Sequence, residues 1–408
     1  MRPGIDDVRE GELMATYFSN VKLFDGHTLK TKAGVLVADG TISWVGAHAR
    51  APKVAQAAHQ EDGTGRTLMP GLIDAHVHLT ASAAADFEAA ARGLNDARAA
   101  LQGARNAVRY LERGVTTVRD LGSVHAVSCD VARGIEAGLI PGPRVVAAGE
   151  ALTITGGHGH GFFAREVDGP GNLRHAVREQ MRSGARAIKV IATGGVLTSG
   201  ISVDFTAFTP EEISAAVNEA HSWGRGIAAH AIGAPGIENA VRAGVDSIEH
   251  GSQITAPIAR LMKERGTFHV PTISALREIL DHADEIPPFA VSKAEEIIGQ
   301  AQDSFRRAIR AGVRHACGTD AGTPFNLHGN TPLEIVRMVE WGMTELKALQ
   351  AATAHAADLL RVPEIGTVEE GKAADLVLYD GDPAEEIDLI LKPALVMKAG
   401  EVVAGIGA

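Results

Sequence analysis

The chain has 408 residues, 45% hydrophobic and 22% charged, an ordinary globular composition that buries a large core without external staples. Lys and Arg number 39 against 50 Asp and Glu, a formal net charge of -11, and no basic run offsets it locally, which argues against a nucleic-acid partner or an anionic membrane surface. The two cysteines, Cys129 and Cys317, lie far apart without CxxC spacing. They therefore read as two buried small apolar side chains in a reducing, cytoplasmic compartment, with neither a disulfide framework nor a thiolate zinc site.

Met1 to Leu13 carry Arg2, Asp6, Asp7, Arg9, Glu10 and Glu12 without an apolar core, so a frayed lead-in is expected there rather than a secretory signal. No uncharged apolar run approaches the ~18 residues needed to span a bilayer. Residues 21–69 are strand-like, with runs at 35–38, 42–45 and 67–69 separated by the turn signals Asp25-Gly26 and Asp39-Gly40. The same texture returns at 376–379 and 395–398, flanking Asp380-Gly381, and after Ala399-Gly400 at Val402 and Val403. The two terminal segments, 15–69 and 361–408, are expected to pair into one composite β-sandwich.

Between them, β-branched runs alternate with Ala/Glu/Arg-rich stretches of helical period, the pattern of βα units around a parallel sheet. Eight runs can be counted, at 71–77, 115–119, 144–148, 187–192, 226–230, 245–249, 267–272 and 313–318. Helices are expected at 87–113, 173–183, 211–223, 236–243, 257–265, 292–311 and 332–341. Several close on a glycine, at Gly114, Gly184, Gly224, Gly244, Gly266 and Gly312, where a left-handed residue is least costly. Eight units predict a TIM barrel, a (β/α)8 α/β fold, over residues 70–360. Active sites of such barrels lie at the C-terminal ends of the strands.

Those ends carry His76 and His78, Lys189, His230, His250 and Asp320. A lone histidine on a strand is ordinarily a hydrogen-bonded core residue. His76 and His78, however, are two apart on one strand, so both point to one face and can share an ion. Lys189 sits inside the apolar run Ala187-Ile188-Lys189-Val190-Ile191, where a free ammonium is expensive to desolvate. It could reach the rim to meet a carboxylate; carboxylated by carbon dioxide, it would instead become an anionic carbamate able to bridge two metals. Asp320, after Cys317-Gly318-Thr319, has the plain reading of a turn or cap aspartate, and the sharper one of a metal ligand that also serves as general base.

Together Met69-Pro70-Gly71-Leu72-Ile73-Asp74-Ala75-His76-Val77-His78, Lys189, His230, Ser247-Ile248-Glu249-His250-Gly251 and Gly318-Thr319-Asp320 resemble the amidohydrolase superfamily over nearly the whole chain. The run from Gly366 to Leu376 looks like the superfamily's return to the sandwich. Within it, Thr116-Thr117-Val118-Arg119-Asp120, Gly156-Gly157-His158 and Lys189-Val190-Ile191-Ala192-Thr193-Gly194-Gly195-Val196 are similar to the metal-dependent dipeptidase and carboxypeptidase group, which includes prolidase-like enzymes and ochratoxin hydrolases. The resemblance implies that His76, His78 and Asp320 bind a buried metal and His230 and His250 a more exposed one, with carboxylated Lys189 between them. It implies too that His158, with the backbone near Gly195 and Val196, holds the carboxylate end of the substrate. Many such enzymes have a tyrosine two residues after the fifth-strand histidine; this chain has Ile232.

His328 in the loop after Asp320 is a further substrate-contact candidate, and Arg277 after the seventh strand could replace the missing carboxylate partner or be a helix-surface arginine. His160 is as compatible with solvent as with substrate. A mononuclear deaminase or cyclic-imine hydrolase is disfavoured by Lys189 and by the absence of an acid in Ala231-Ile232-Gly233, and a metal-free scaffold by the intact ligand set. A hydrolase of carbamates, ureas or esters would use the same centre. The sequence thus predicts a binuclear metal-dependent hydrolase in which a bridging hydroxide attacks a small-molecule amide and Asp320 shuttles the proton. Zinc is first in line for the two divalent sites, with manganese and cobalt also suited, and carbon dioxide is needed for Lys189. Homo-oligomerisation is left open.

Overall fold

The computed structural model describes residues 15–405; the lead-in expected at Met1 to Leu13 lies outside the described residues. The terminal segments form one eight-stranded sheet, in which Leu376–Asp380 pairs antiparallel with Arg66–Pro70 in the register Leu376 to Pro70 and Asp380 to Arg66. Alternation along Leu376–Asp380 divides two cores, as a period of two requires. Leu376 and Leu378 pack with Phe18, Val21, Leu23, Val35 and Leu68 inside the sandwich, while Val377 and Tyr379 turn towards the barrel. The sequence patterning underestimated this sheet at its edges, where Thr16–Phe24 begins earlier than expected and His59–Asp62 adds a short parallel pairing.

The other α/β part is the TIM barrel. Leu72–Val77, Val115–Asp120 and Arg144–Ala147 pair in parallel, as do Ala187–Ile191, Gly226–Ala231, Ser247–His250 and Phe268–Val270. The bond from Arg186 N–H to Ala147 O, 2.7 Å, joins the two sheets. The eighth run, expected as a strand over 313–318, forms no ladder. It closes the barrel through single bonds instead, Ala316 N–H to His269 O at 3.1 Å and Ala75 N–H to Cys317 O at 2.8 Å. Ala187–Ile191 is buried along its whole length, as a parallel strand covered on both faces should be.

Helices fall near their expected places, with one split. The stretch 87–113 becomes Phe87–Arg92 and Asp96–Leu111, because the Asn95 side chain accepts from Arg98 N–H and starts a new helix. Gly184, Gly244, Gly266 and Gly312 cap their helices in the left-handed conformation. Val127–Glu136 and Ile273–Asp281 are helices that the patterning did not separate from their surroundings. Among the described residues no helix is long and apolar enough to cross a membrane.

Candidate metal centre and active site

The strand ends bring His76, His78, Lys189, His230, His250 and Asp320 to one cavity, whose empty volume is about 670 Å³. Asp320 Oδ1 lies 3.3 Å from His76 Nε2 and 3.2 Å from His78 Nε2. His78 Nδ1 donates to the carbonyl of Gly122 at 2.9 Å, which leaves Nε2 as a bare acceptor facing the carboxylate. His76 Nδ1 stands 2.9 Å from Glu249 Oε2, misaligned for a full hydrogen bond, and its Nε2 is likewise turned to Asp320. Among the described residues Asp320 Oδ1 has no hydrogen-bond partner. Lone pairs of two imidazoles and a carboxylate therefore face one another in a buried pocket, an arrangement that requires a proton or a cation between them. These three residues offer donor atoms within 4.8 Å of one another and fit a metal ion.

The remaining histidines present the same logic. His230 Nε2 donates to Gly194 O at 3.0 Å, leaving Nδ1 bare, and His250 Nδ1 pairs with Thr272 Oγ1 at 2.7 Å, leaving Nε2. Their ring centroids are 4.6 Å apart, and His250 is 5.3 Å from His76. Lys189 is buried, forms no ion pair among the described residues, and has its Nζ 3.5 Å from His76 Nε2. Burial pulls its ammonium down to about 8. Burial also pushes His76 and His250 well below the ordinary histidine value and, with the charge of Lys189, brings His230 down to about 3. All three are therefore neutral near pH 7, the state in which imidazole binds metal. Burial opposes ionisation of Asp320, but the ring nitrogens of His76 and His78 and the Lys189 ammonium that face it prevail and hold its carboxyl below the usual range.

A second set of side chains fixes this geometry. Glu249 is held by Arg119 Nη2 at 2.9 Å and by the Ser247 hydroxyl, all buried on the barrel strands. Asp74 accepts from Thr319 N–H at 3.0 Å, from Thr319 Oγ1 at 2.8 Å and from Thr331 Oγ1 at 2.7 Å, tying the first strand to the turn that carries Asp320. Asp120 accepts from Leu79 N–H at 2.7 Å and braces the chain after His78. Asp320 and His250 hold φ of 60° and 69°, a left-handed backbone that non-glycine residues rarely adopt and that clusters at functional sites. Sequence reasoning quoted Asp74, Arg119, Asp120 and Glu249 within motifs without giving them roles. Arg119 and Glu249, like Lys189, are charges inside buried barrel strands, and that signal marks them in the sequence.

His158 lines the cavity with its ring centroid 4.7 Å from that of His230. Its Nδ1 meets Thr198 Oγ1 at 2.7 Å, and the same oxygen accepts from Gly159 N–H. Thr198 thereby fixes the orientation of the His158 ring. Gly195 lies against this ring, where a Cβ would come within 2.4 Å of Nε2. Val196 and Ile232 line the apolar wall, joined by Phe87, Phe163, Leu276 and Ile297, aromatic and aliphatic positions that the sequence reading did not single out.

Three candidates lie outside the cavity lining. Arg277 is exposed on Ile273–Asp281 and lies 4.0 Å from Asp281, because Ala275, Leu276 and Ile279 occupy the inward face of that helix. His328 is buried behind the cavity wall, with Nε2 at 3.0 Å from the His78 carbonyl, and touches backbone rather than a substrate space. His160 Nδ1 lies 2.7 Å from Gly157 O and belongs to its own turn.

The Amidohydrolase family pattern matches residues 67–403. Ochratoxinase of Aspergillus niger is 33% identical over 417 residues, covering 94% of this chain and 85% of that protein. Among solved structures, a Xaa-Pro dipeptidase with methionine bound in its active site superposes with a TM-score of 0.87 at 33% identity, covering 96% of this chain and 100% of that one. A prolidase in complex with N-methylphosphonate-L-proline gives 0.87 at 31% identity, again covering 96% and 100%. Motifs, barrel, clustered ligand residues and these likenesses agree: the chain belongs to the amidohydrolase family and is a hydrolase.

Proposed function

We propose that the chain cleaves the amide bond of an N-acyl amino acid or dipeptide at a binuclear metal centre formed by His76, His78, Lys189, His230, His250 and Asp320. The observation that carries this reading is the buried Asp320 oxygen, without a hydrogen-bond partner among the described residues, facing the Nε2 atoms of His76 and His78. His230 Nδ1 and His250 Nε2 are the donors available for a second ion. Lys189, buried without an ion pair, fits as a carbamate between the two. Bound there, two divalent ions, zinc foremost, would supply an acidified water and a Lewis acid for the carbonyl.

The chain's own residues do the rest. Asp320 takes the proton of the attacking water and delivers it to the leaving nitrogen. His158 holds the carboxylate end of the substrate. The walls at Phe163, Val196, Leu276 and Ile297 favour an apolar side chain and exclude water. Two relatives support a carboxylate-ended substrate, one solved with methionine and one with a proline phosphonate. Because Ile232 supplies no donor and Arg277 faces solvent, His158 stands without a charged partner for that carboxylate. A site with one fewer polar group rejects capped analogues weakly. The two buried free cysteines suit a reducing, cytoplasmic location.

The test is a matched series of N-acyl amino acids and their amidated or ester-capped forms, with an elemental count of metal per chain. Two metals per chain and hydrolysis of both series with a modest preference for the acid support the reading. If neither series reacts while carbamates, ureas or simple esters do, the substrate assignment falls; one metal or none refutes the binuclear centre.

A further inference from the structure

We propose that Lys293 is a positioning residue that straps loop 194–201 over the cavity and thereby sets where the His158 ring meets the substrate. Lys293 lies on the helix Pro288–Ala311, away from the metal-binding candidates. Its Nζ donates to the carbonyls of Gly195 at 3.0 Å, Thr198 at 2.7 Å and Ile201 at 2.6 Å. An ammonium has three hydrogens, and the three acceptors, spaced three residues apart, use all of them. Lys293 therefore has no proton left for a substrate anion, and it is absent from the residues lining the cavity.

The loop it gathers has no helix or ladder strand to hold it, and Gly195 and Gly200 leave its backbone free to move. Yet this loop supplies Val196 and Leu197 to the cavity wall and, through Thr198 Oγ1, the partner that orients the His158 ring. One cation thus replaces regular secondary structure at the point where the substrate's end is gripped. The helix is keyed to the site on the same face: Phe289, one turn before, has its ring 5.9 Å from Nζ, and Ile297, one turn after, lines the cavity. Arginine is a poor substitute, since its planar fork cannot reach three converging carbonyls as a compact ammonium does.

The substrate half of this inference rests on the amide-hydrolase reading above; the loop half does not. In Lys293→Met, amide hydrogen exchange over 195–201 should accelerate while the rest of the barrel keeps its protection. Metal content should stay at the wild-type level. For an N-acyl amino acid, KM should rise about tenfold with kcat changed less than about threefold, because grip rather than chemistry is lost. Lys293→Cys treated with 2-bromoethylamine, which rebuilds an ammonium at that position, should recover KM. Cys129 and Cys317 are buried, and burial pushes the Cys129 thiol up to about 12, so alkylation falls on the introduced thiol. Unchanged exchange in the loop overturns the strap, whatever the substrate. A fall in kcat with KM unchanged, or failure of aminoethylation to restore KM, overturns the positioning role. Faster exchange in an enzyme whose wild type ignores N-acyl amino acids leaves the strap standing and refutes the substrate reading instead.

Discussion

Asp320 is tied to His76 twice: its backbone N–H donates to the His76 carbonyl at 2.7 Å, and its Oδ1 lies 3.3 Å from the His76 ring nitrogen. The backbone bond survives any change of side chain, so the carboxylate can be altered without moving the strand end. Asp320→Asn should keep the fold and most of the bound metal while kcat falls by about 10²–10⁴, the range for loss of a general base. Near-wild-type turnover at full metal content would remove Asp320 from proton transfer.

His76→Asn and His78→Asn each delete one nitrogen of a three-residue set. Both should lose the ion shared with Asp320, and activity with it, while far-UV circular dichroism stays native. Elemental analysis decides: if both variants hold as much metal as wild type, these are core histidines. His76→Asn should also cost stability, because it leaves Glu249 buried beside Arg119 with one contact fewer.

On the carbamate reading of Lys189, activity should depend on carbon dioxide. Reconstitution with divalent metal and bicarbonate should give more active protein than metal in carbon-dioxide-free buffer. Lys189→Ala should be inactive until a short-chain carboxylic acid is added to stand in for the carbamate. Full activity of Lys189→Ala without any acid would show that no bridge forms there.

Gly195→Ala places a methyl group in the space of the His158 ring. The ring must shift, and we expect KM for carboxylate-ended substrates to rise about tenfold or more with metal content unchanged. A variant with wild-type KM would mean that His158 does not touch the substrate.

Acid should destabilise the fold through histidines outside the metal set. Burial lowers His269 and His328 to about 4, so both are neutral when folded and gain protons on unfolding below about 6.5. Their contribution is complete above 6.5 and is lost as pH falls towards 4, at about 1.4 kcal/mol per pH unit for each group. Asp74 and Glu334, raised by burial to about 6 and about 7, act in the opposite direction over part of this window, so wild-type slopes alone mix the two. His269→Asn isolates one group: its unfolding free energy between pH 4.5 and 6 should be less steep in pH than that of wild type by one proton's worth. Equal slopes would show that His269 does not titrate between the states.

Much of the site could be seen in the sequence because its residues break local rules. Lys189 is a charge in an apolar strand, and His76 and His78 sit two apart where the barrel should be closed by aliphatic side chains. The TIM barrel and its composite sandwich followed from alternation and glycine caps. What escaped was phase and backbone. Arg277 was placed by its distance past the seventh strand, but the rotation of Ile273–Asp281 turns it outwards, and Thr272, with φ of 48° just before that helix, has no sequence signature. Lys293 grips main-chain carbonyls, which every residue has, so no side-chain pattern announces it. The eighth run, 313–318, was counted as a strand from its place in the βα alternation, whereas its pairing is only a few single bonds.

Asp74 and Thr319, joined at the seam of the barrel, are 245 residues apart in the chain. The pocket of His76, His78 and Asp320 straddles that seam, so it does not exist on any nascent chain that has yet to emit its eighth strand. Ring closure, a slow event because it joins distant segments, is therefore the step that creates the pocket. A cation binding there would stabilise only the closed ring, pulling late intermediates forward by mass action. Metal uptake in this protein should then follow synthesis rather than accompany it, and starvation for metal should show first as barrels that close and reopen, open to proteases along one seam.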